Sequence, residues 1–489
     1  MSIDEFKQDA TYSGVLLTFD GAEQHRTAAT LRFDADLGVF FEVSDAATGS
    51  FFSDDSNHPS VWFRGEAHIP DQCIFESLEG SITLSRIRNT YRSQNFRVSG
   101  ARFAASEAVL APTLAAINEP ALFDDFVSHF DGLAEWWGAR NLVVDHIAYD
   151  NGLARRVAIT TREDIEPIRW PQNGASMRIE LGWLSSSADH GRSQTLAQTT
   201  MLISEFPEPR SADEHLTEHW KVKSLMSLVF GIRLAYREHA ITSKAAYFAE
   251  LRSNPAGELE QKYFPRRPFV TRRTSQDFVT PTHQHSDFIN PVFWLSEIGP
   301  EGLQRWGEAW DGEWERLISP TVSVLSRPRP FIEDVILATG IFLDAWGKEA
   351  PRADGEKSTY SKNGNRASPT FATYIFRALT LCGADWSDAT TSNIGLSIAC
   401  RQIYTAVKHA ELDQPDPTQM MLISDVLLLL VRMVALRRVD VEGSLVARFG
   451  NDWAMKKHLQ GFDGVNLVID ENGNFVSKRP DREPEENAE

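Results

Sequence analysis

Residues 392–438 read SNIGLSIACRQIYTAVKHAELDQPDPTQMMLISDVLLLLVRMVALRR, and this stretch decides how the C-terminal part of the chain folds. Its first part has apolar residues three or four positions apart, at Leu396, Cys400, Ile403 and Val407. That spacing is the period of one helix face, and Ser392 or Asn393 can cap the start of the helix. Proline cannot continue a helix interior, so Pro415 and Pro417 close the connection that follows.

A second apolar helix comes next, with an unbroken apolar run from Leu427 to Val431. A helix that is apolar on nearly every side is buried, and a short connection favours antiparallel neighbours, so the two helices should pack together. Residues 419–436 could be mistaken for a membrane span. Asp425 and Arg432 lie inside that run, however, and each is costly at the centre of a bilayer. The sequence therefore favours a buried helix of a soluble bundle, with no membrane contact.

The first helix should leave a basic cluster to solvent near its C-terminal end, made of Arg401, Tyr404, Lys408 and His409. Each of these residues also has a plain structural interpretation. Arg401 and Lys408 can be the solvated face of an amphipathic helix, and His409 can be a helix-end residue favoured by the helix dipole. Tyr404 can be a packing residue.

Composition sets the limits for the whole chain. It has 489 residues, 42% of them hydrophobic, which suits two or three globular domains with real cores. The formal net charge of -19 argues against a protein that coats nucleic acid non-specifically. Cys73, Cys382 and Cys400 are too far apart for a disulfide framework or a metal-ligand pattern. The start, MSIDEFKQDATYSG, has no basic and apolar regions of a secretory signal, so a cytoplasmic protein is predicted.

The first two hundred residues have the pattern of short strands. YSGVLLTF, TAATLRFD, GVFFEVSD and GSITLSRIRN are rich in Val, Ile, Leu, Thr and Phe, and turn-forming residues separate them. ARRVAITTRE, ASMRIELGWL and TLAQTTMLISEF continue the pattern, whereas PALFDDFVSHFDGLAEWWG favours a short helical or aromatic insertion. We therefore predict an N-terminal β-rich domain, sandwich-like or barrel-like.

The apolar period changes near Pro207 to that of a helix. SADEHLTEHWKVKSLMSLVFG predicts a helix, PRRPFVTRR a loop or edge strand, and PRADGEKSTYSKNGNRA a flexible loop, while helices dominate from Asn290 onward. The predicted class is a multidomain α+β protein. Its predicted parts are a β-rich domain at 1–205, a helical and mixed connector at 206–287, an all-α domain at 288–450, and an extension at 451–489 with a disordered acidic tail.

The order of these pieces, together with particular segments, resembles a known family. GVLLTFDG near the start resembles the N-terminal domain of ApeA-type bacterial anti-phage proteins. FWLSEIGPEGLQRWGEAW, FIEDVILATGIFLDAW and YTAVKHA look like the HEPN domain that follows it in such proteins. The resemblance implies an N-terminal sensing domain for an unknown phage-derived trigger, followed by a HEPN bundle that acts as an endoribonuclease without metal or cofactor. It also implies a homodimer that brings two Arg/His sites together on RNA.

The sequence departs from the usual HEPN signature, an arginine and a histidine with four to six residues between them. Counting back from His409, the expected positions hold Tyr404, Ile403 and Gln402, and the nearest arginine is Arg401. On one helix, Arg401 and His409 would lie roughly 80° apart in azimuth and about 12 Å apart along the axis. They can meet only if the helix ends before His409. Lys408 could supply the positive charge instead, although it lacks the planar fork of arginine.

The residue types suit RNA cleavage by the 2′-hydroxyl. Histidine can act as base or acid near neutral pH, and a cation such as Arg401 or Lys408 stabilises the charge that builds on the phosphate. Tyr404 could contact RNA by stacking on a base. Two alternatives stay open: a HEPN-like module that binds RNA or protein without catalysis, and a β-rich ligand-binding protein with a helical dimerisation domain. His283 and His285 lack an accompanying carboxylate pattern, which favours a surface loop over a metal site.

Overall fold

The computed structural model describes residues 6–20, 23–34, 36, 38–46, 69–94, 98–110, 121–148, 154–162, 165–188, 193–244, 250–253, 259–263, 266–310, 312–363, 366–409 and 411–478. The chain divides into two compact units. The β-rich unit comprises Met1–Ala134, Gly138–Trp220 and Ala235–His283, and the helical unit comprises Glu135–Trp137, Lys221–Leu234 and Gln284–Glu489.

The elements up to residue 283 are mostly strands. They are β1 (Thr11–Asp20), β2 (Glu23–Asp34), β3 (Gly38–Ala46), β4 (Gln72–Ser77), β5 (Gly80–Gln94), β6 (Val98–Leu110), β7 (Phe123–Phe130), helix α1 (Leu133–Trp137), β8 (Leu142–Ala148), β9 (Ala154–Thr161), β10 (Ile168–Gln172), β11 (Ala175–Ala188), β12 (Ser193–Arg210), helix α2 (Ala212–Phe230), β13 (Tyr236–Thr242), β14 (Glu250–Ser253), β15 (Leu259–Tyr263), β16 (Arg267–Thr271) and helix α3 (Ser275–Phe278).

Twelve of these strands form one antiparallel sheet in the order β10-β11-β12-β7-β13-β16-β6-β3-β2-β1-β4-β5, and β5 also pairs with β6. That extra pairing closes β1 to β6 into a six-stranded barrel. The barrel interior is filled by inward-facing apolar side chains, among them Phe41, Phe75 and Phe103. The prediction of a β-rich N-terminal region is confirmed. Of its two predicted forms, the structure has the barrel and not the sandwich: barrel closure replaces two facing sheets and removes free edges from β5 and β6.

Two interior strands of the sheet were not expected from the sequence. β7 lies between β12 and β13, although its segment favoured a helical or aromatic insertion; only Leu133–Trp137 beyond it is helical. Its cluster of aromatics, including Phe123 and Phe126, packs under the first part of α2. β16, predicted as a loop or edge strand, lies between β13 and β6. Pro268 is tolerated there because pairing with β6 begins only at Phe269.

The described helical unit contains the remaining elements. They are a 3-10 turn (His285–Phe288), α4 (Leu295–Ala309), α5 (Glu313–Leu325), α6 (Ile332–Glu349), a 3-10 turn (Glu356–Thr359), β17 (Ser361–Asn363), β18 (Arg366–Ser368), α7 (Phe371–Cys382), α8 (Asn393–Lys408), α9 (Pro417–Leu436), α10 (Ser444–Gly450), α11 (Trp453–Gly464), β19 (Leu467–Ile469) and β20 (Phe475–Ser477). The hairpin β17–β18 departs from the all-α prediction for 288–450, whereas β19–β20 lies in the predicted extension after it.

Helix α9 is the core of the helical unit. It contacts α6, α7, α8 and α11, and its residues from Val426 to Leu436 are nearly all buried. It is the one helix in the described part of the chain that is long and apolar enough to cross a membrane, and 78% of that apolar window is buried inside the protein. The predicted packing of α8 against α9 is confirmed, although α8 makes more of its contacts with α7.

Arg432 explains how α9 carries a cation inside its apolar run. The side chain is 2% exposed, and its Nε and Nη2 donate to the carbonyl oxygens of Leu228 and Val229, at 2.7 and 3.1 Å. These carbonyls lie at the C-terminal end of α2, where helix carbonyls lack intrahelical partners and a positive charge is favoured. Gly231 follows with φ 72°, and a Cβ there would overlap the guanidinium. Burial lowers the pKa of Arg432 to about 10.

The segment predicted as a flexible loop is tied down by a buried ion pair. The guanidinium of Arg377 donates through Nε and Nη2 to the carboxylate of Glu356, at 2.7 and 3.0 Å, and both side chains are nearly inaccessible. Tyr360 donates its hydroxyl to the same carboxylate at 2.6 Å. The Arg377 guanidinium, followed by the Tyr360 hydroxyl, lowers the pKa of Glu356 to about 2.

The sheet continues past residue 205, since β13 and β16 come from 236–271 and belong to it. The boundary predicted there reflects the change of apolar period at α2, whereas the chain returns to the same sheet after that helix. The predicted extension from 451 contains α11 and the β19–β20 hairpin. The predicted disordered tail, from 479 onward, lies outside the described residues. Three predicted core tryptophans, Trp306, Trp310 and Trp314, are buried, whereas Trp294 is 36% exposed.

Candidate functional site

The candidate site lies at the C-terminal end of α8. Ser392 caps the start of this helix by accepting a hydrogen bond from the Gly395 amide at 3.0 Å. Gly395 leaves room for the β19–β20 hairpin, because a Cβ there would overlap the carbonyl of Asp470. The hairpin thus covers the first turn, while the last turn carries the predicted site residues.

His409 lies just beyond the helix. α8 ends at Lys408, and His409 is its C-cap in an extended conformation, with its amide donating to the carbonyl of Thr405 at 3.1 Å. The imidazole is about half exposed, and its Nδ1 lies 3.3 Å from Oε1 of Glu411. When Nδ1 donates to this carboxylate, Nε2 is the nitrogen left to take up a proton. The helix therefore ends before His409, which is the condition that the sequence set for this histidine to approach the cations of α8.

Arg401 and Lys408 lie on one face of α8. Seven residues make about two turns of helix, so the two positions are stacked about 10 Å apart along the axis. Arg401 is half-buried and Lys408 exposed, and among the described residues neither forms an ion pair with an acid. The amine of Lys408 lies 5.4 Å from the centroid of the Tyr404 ring. Lys408, rather than Arg401, is the cation adjacent to His409.

Tyr404 does not face solvent as predicted. It is 6% exposed, and its ring packs on that of Phe371 at a centroid distance of 4.3 Å. Gly340 of α6 lies against the ring so closely that a Cβ there would overlap it. A ring enclosed in this way offers no free face to a base, so the structure places Tyr404 in the packing of α6, α7 and α8.

Lys348 is a further cation near this end of the bundle, and the sequence reading missed it because α6 is distant in the chain. Its amine donates to Asp344 at 2.6 Å, and this carboxylate raises the pKa of Lys348; the nearby rings of Tyr374 and Tyr404 act in the same direction. Unlike Lys408, Lys348 already has an anionic partner. The one feature of the sequence that could have pointed to Lys348 as a site residue is its position in the last turn of a predicted helix.

A second polar cluster, the histidine chain, lies buried in the β-rich unit. From one end to the other it runs Thr274, His239, Ser128, His219, Ser204, His215 and the carbonyl of Phe123. The distances between successive atoms lie between 2.7 and 3.2 Å. All six side chains are at most 5% exposed. The histidine chain could not be predicted from the sequence, because its residues come from β7, β12, α2, β13 and the segment before α3.

The terminal carbonyl assigns every proton in the neutral chain. A carbonyl only accepts, so His215 donates from Nε2 to Phe123 and accepts at Nδ1 from the hydroxyl of Ser204. Ser204 then accepts from Nε2 of His219, and Nδ1 of His219 accepts from the hydroxyl of Ser128. Ser128 in turn accepts from Nδ1 of His239, whose Nε2 accepts from Thr274. Burial lowers the pKa of His215 to about 4 and that of His219 well below its usual value. The histidine chain is enclosed and satisfied, which suits a structural role.

His283 and His285, for which the sequence favours a surface loop over a metal site, lie at the start of the helical segment. His285 is exposed on a 3-10 turn and His283 is half-buried just before it. Within the described ranges, no group of three or more His, Cys, Asp or Glu side chains is arranged to hold a metal ion.

The fold defines a two-unit α+β protein: a β-barrel extended into a larger sheet, and a helical bundle with an exposed histidine and cations at one helix end. The family model for ApeA N-terminal domain 1 matches residues 15–306, more than half of the chain. The chain therefore belongs to this family, and this membership supports an ApeA-type protein of anti-phage defence. No curated protein and no solved structure matches the chain.

Proposed function

We propose that this anti-phage protein is a HEPN-type endoribonuclease whose helical unit cuts RNA without a metal ion, as a cytoplasmic homodimer. The family assignment supports the defence role, and the resemblance of the helical segments supports the HEPN assignment. The observation that carries the proposal is the end of α8: it places the half-exposed imidazole of His409 beyond the helix, next to Glu411 and beside Lys408. The β-rich unit then serves as the sensing part for an unidentified phage-derived trigger.

The proposed chemistry assigns a step to each residue. Nε2 of His409 takes the proton of the RNA 2′-hydroxyl, whose oxygen attacks the adjacent phosphorus, and the bond to the 5′-oxygen breaks. The departing oxygen takes a proton from an acid, for which a second His409 in the dimer is available. Lys408 stabilises the extra negative charge on the phosphate, and Arg401 adds to this only if the second chain of the dimer brings it to the site. The products end in a 2′,3′-cyclic phosphate and a 5′-hydroxyl.

The second candidate function is an RNA- or protein-binding module without catalysis. Two observations favour it: Tyr404 is buried in the bundle, and Arg401 lies about two turns before the helix end, away from His409. In this case Arg401 and Lys408 would hold a phosphate backbone, and His409 would be a solvated helix-end residue.

Cleavage assays separate the two candidates. Purified full-length protein is incubated with total RNA, with and without EDTA, and the 3′ ends of the products are analysed. We expect cleavage that survives EDTA and yields cyclic phosphates. His409→Ala should lower the rate by about 10²–10⁴, the usual effect of losing a general acid or base. The matched control is His285→Ala, which removes another exposed histidine of the helical unit.

Comparison of Lys408→Ala with Arg401→Ala identifies the phosphate-stabilising cation. A larger loss at Lys408 fits its position beside His409; a larger loss at Arg401 would require the second chain to bring that side chain to the site. Full activity of His409→Ala, with RNA binding retained, would end the nuclease assignment at this site and favour the binding module.

A further inference from the structure

The outer face of the barrel over β2, β3, β6 and β5 carries a basic and aromatic surface, which we call the barrel face. Directly paired residues of neighbouring strands point to the same side of a sheet. One row across these strands is Arg32, Phe40, Ala104 and Arg88, and the next is Thr30, Glu42, Arg102 and Tyr91. Residues on either side along the strands, such as Leu31, Phe41 and Phe103, fill the barrel interior. Both rows therefore point away from the barrel interior, but Phe40 and Ala104 are themselves buried, at 4% and 2% exposed, so Tyr91 is the exposed ring of this surface.

The cations of this surface are accessible. Arg26, Arg32 and Arg88 are exposed, and Arg102 is 38% exposed. The guanidinium groups of Arg32 and Arg102 lie 5.9 and 5.0 Å from the centroid of the Phe40 ring, which confirms that all three side chains share the face. The acid on these two rows, Glu42, is paired with Arg102. On the two rows themselves, three arginines stand against one carboxylate among the described residues, which makes this part of the barrel face basic on a chain whose net charge is -19.

A groove and an exposed ring lie beside these cations. The third outward row contains the small residues Ser44, Gly100 and Ser93, and a groove of about 450 Å³ is lined by these residues and by Ala28. Its wall includes Glu42, Arg102 and Tyr91. The side chain of Tyr91 is 60% exposed, held on a strand irregularity between Asn89 and Tyr91.

We propose that the barrel face binds single-stranded nucleic acid. Arginine side chains are suited to the phosphate backbone, since their forked donors match phosphate oxygens and remain charged. An exposed tyrosine beside a positively charged groove provides the stacking platform that unpaired bases use. A duplex would present its bases already stacked, leaving Tyr91 unused. This inference concerns recognition by the β-rich unit, so it does not depend on cleavage at His409.

Glu42 offers a substitution that should strengthen the binding of nucleic acid, whereas loss of an arginine should weaken it. Its carboxylate accepts from Arg102 at 2.7 Å and would repel an approaching phosphate. Glu42→Gln should therefore raise the affinity for a polyanion. If Glu42 served only the structure of the barrel, the same substitution would lower the affinity or leave it unchanged.

The test measures binding of fluorescent oligonucleotides of about 12 nucleotides, within the range that one barrel domain covers. Single-stranded RNA, single-stranded DNA and duplex DNA form the arms, and the full-length His409→Ala protein serves as the parent so that no probe is consumed. Arg32→Gln/Arg88→Gln is compared with Arg140→Gln/Arg169→Gln, which removes two exposed arginines of the same unit outside the barrel face. Tyr91→Ala is compared with Tyr91→Phe, which keeps the ring.

We expect the Arg32/Arg88 double variant to bind weakly and its salt dependence to flatten by about 1.4 in the log–log slope, for two phosphate contacts on a single strand. Tyr91→Ala should lose about 5- to 100-fold in affinity, with Tyr91→Phe close to the parent. Equal binding by the two double variants would overturn the proposal. Equal binding of duplex and single strands would also overturn it, because it removes the preference for unpaired bases. Equal binding of polyglutamate and the oligonucleotides would overturn it as well, because it removes the nucleic-acid assignment. RNA cleavage that fails while this binding persists leaves the inference standing and rejects only the nuclease.

Discussion

The histidine chain of the β-rich unit and the Glu356–Arg377 pair of the helical unit hide polar side chains from water in different ways. In the histidine chain each of the three rings and both serine hydroxyls donates and accepts, so the residues satisfy one another without a net charge. In the pair, a full charge on each side chain meets its opposite and several further donors or acceptors. The neutral histidine chain thus spreads its hydrogen bonds over six side chains, whereas the ion pair concentrates them on two charged groups.

The largest effect should come from breaking the ion pair. Glu356→Ala leaves the Arg377 guanidinium buried without its counter-charge, and losing one partner of a buried pair typically costs about 3–5 kcal/mol of stability. The measurement is the free energy of unfolding of the helical unit, from urea titration followed by hydrogen exchange of its peptides. Glu356→Gln, which keeps the shape and loses the charge, is the matched control. A loss below that of Ser128→Ala would contradict the comparison.

Interrupting the neutral chain should cost less. Ser128→Ala removes the hydroxyl that joins His219 to His239 and leaves their facing ring nitrogens without that partner, a cost of about 1–3 kcal/mol. Hydrogen exchange of peptides from β7, β12 and β13 provides the readout. Ser128→Thr, which keeps a hydroxyl, should recover part of the stability; an equal loss in both variants would mean that packing alone is responsible.

Acid should act on the histidine chain through His215. Its pKa is about 4 in the folded protein and about 6.5 when unfolded, so the unfolded state binds more protons between these values. The stability that neutral His215 contributes is complete above about pH 6.5 and is lost as the pH falls towards 4. His215→Gln cannot take up this proton, so its stability should change less over the window, by up to about 1.4 kcal/mol per pH unit. Parallel curves for the two proteins would refute the assignment.

The smallest effect belongs to an exposed cap outside both clusters. The carboxylate of Asp416 accepts from the amides of Thr418 and Gln419 at the start of α9, at 2.9 and 3.1 Å. Asp416→Ala should destabilise the helical unit by about 1 kcal/mol, and Asp416→Asn should be nearly neutral, since asparagine caps as well. Thermal unfolding of the two variants distinguishes them. If Asp416→Ala lost as much stability as Glu356→Ala, the exposure of the substituted side chain would not determine the order of these stability losses.

Most strands and helices of the chain could be predicted because their apolar periods are local. β1, β2, β3 and α9 show this, whereas the sequence left open whether α8 ends before His409. β7 and β16 could not be predicted, since aromatic density and a proline gave misleading local signals that sheet pairing overrides. For Tyr404, the partners Phe371 and Gly340 come from other helices, so spacing along α8 alone placed it in solvent. The histidine chain likewise joins residues as far apart as Ser128 and His239, and no local pattern reports such a contact.

The contact of Arg432 with the end of α2 determines where the chain can be cut to express the helical unit alone. A fragment that begins at residue 288, where the sequence suggests the helical domain starts, would lack the Leu228 and Val229 carbonyls and leave a buried guanidinium with nothing to receive its hydrogen bonds. Such a fragment should aggregate or unfold. The helical unit is discontinuous in the chain, and a soluble piece of it must carry residues 221–234 as well, supplied by a linker or as a separate peptide.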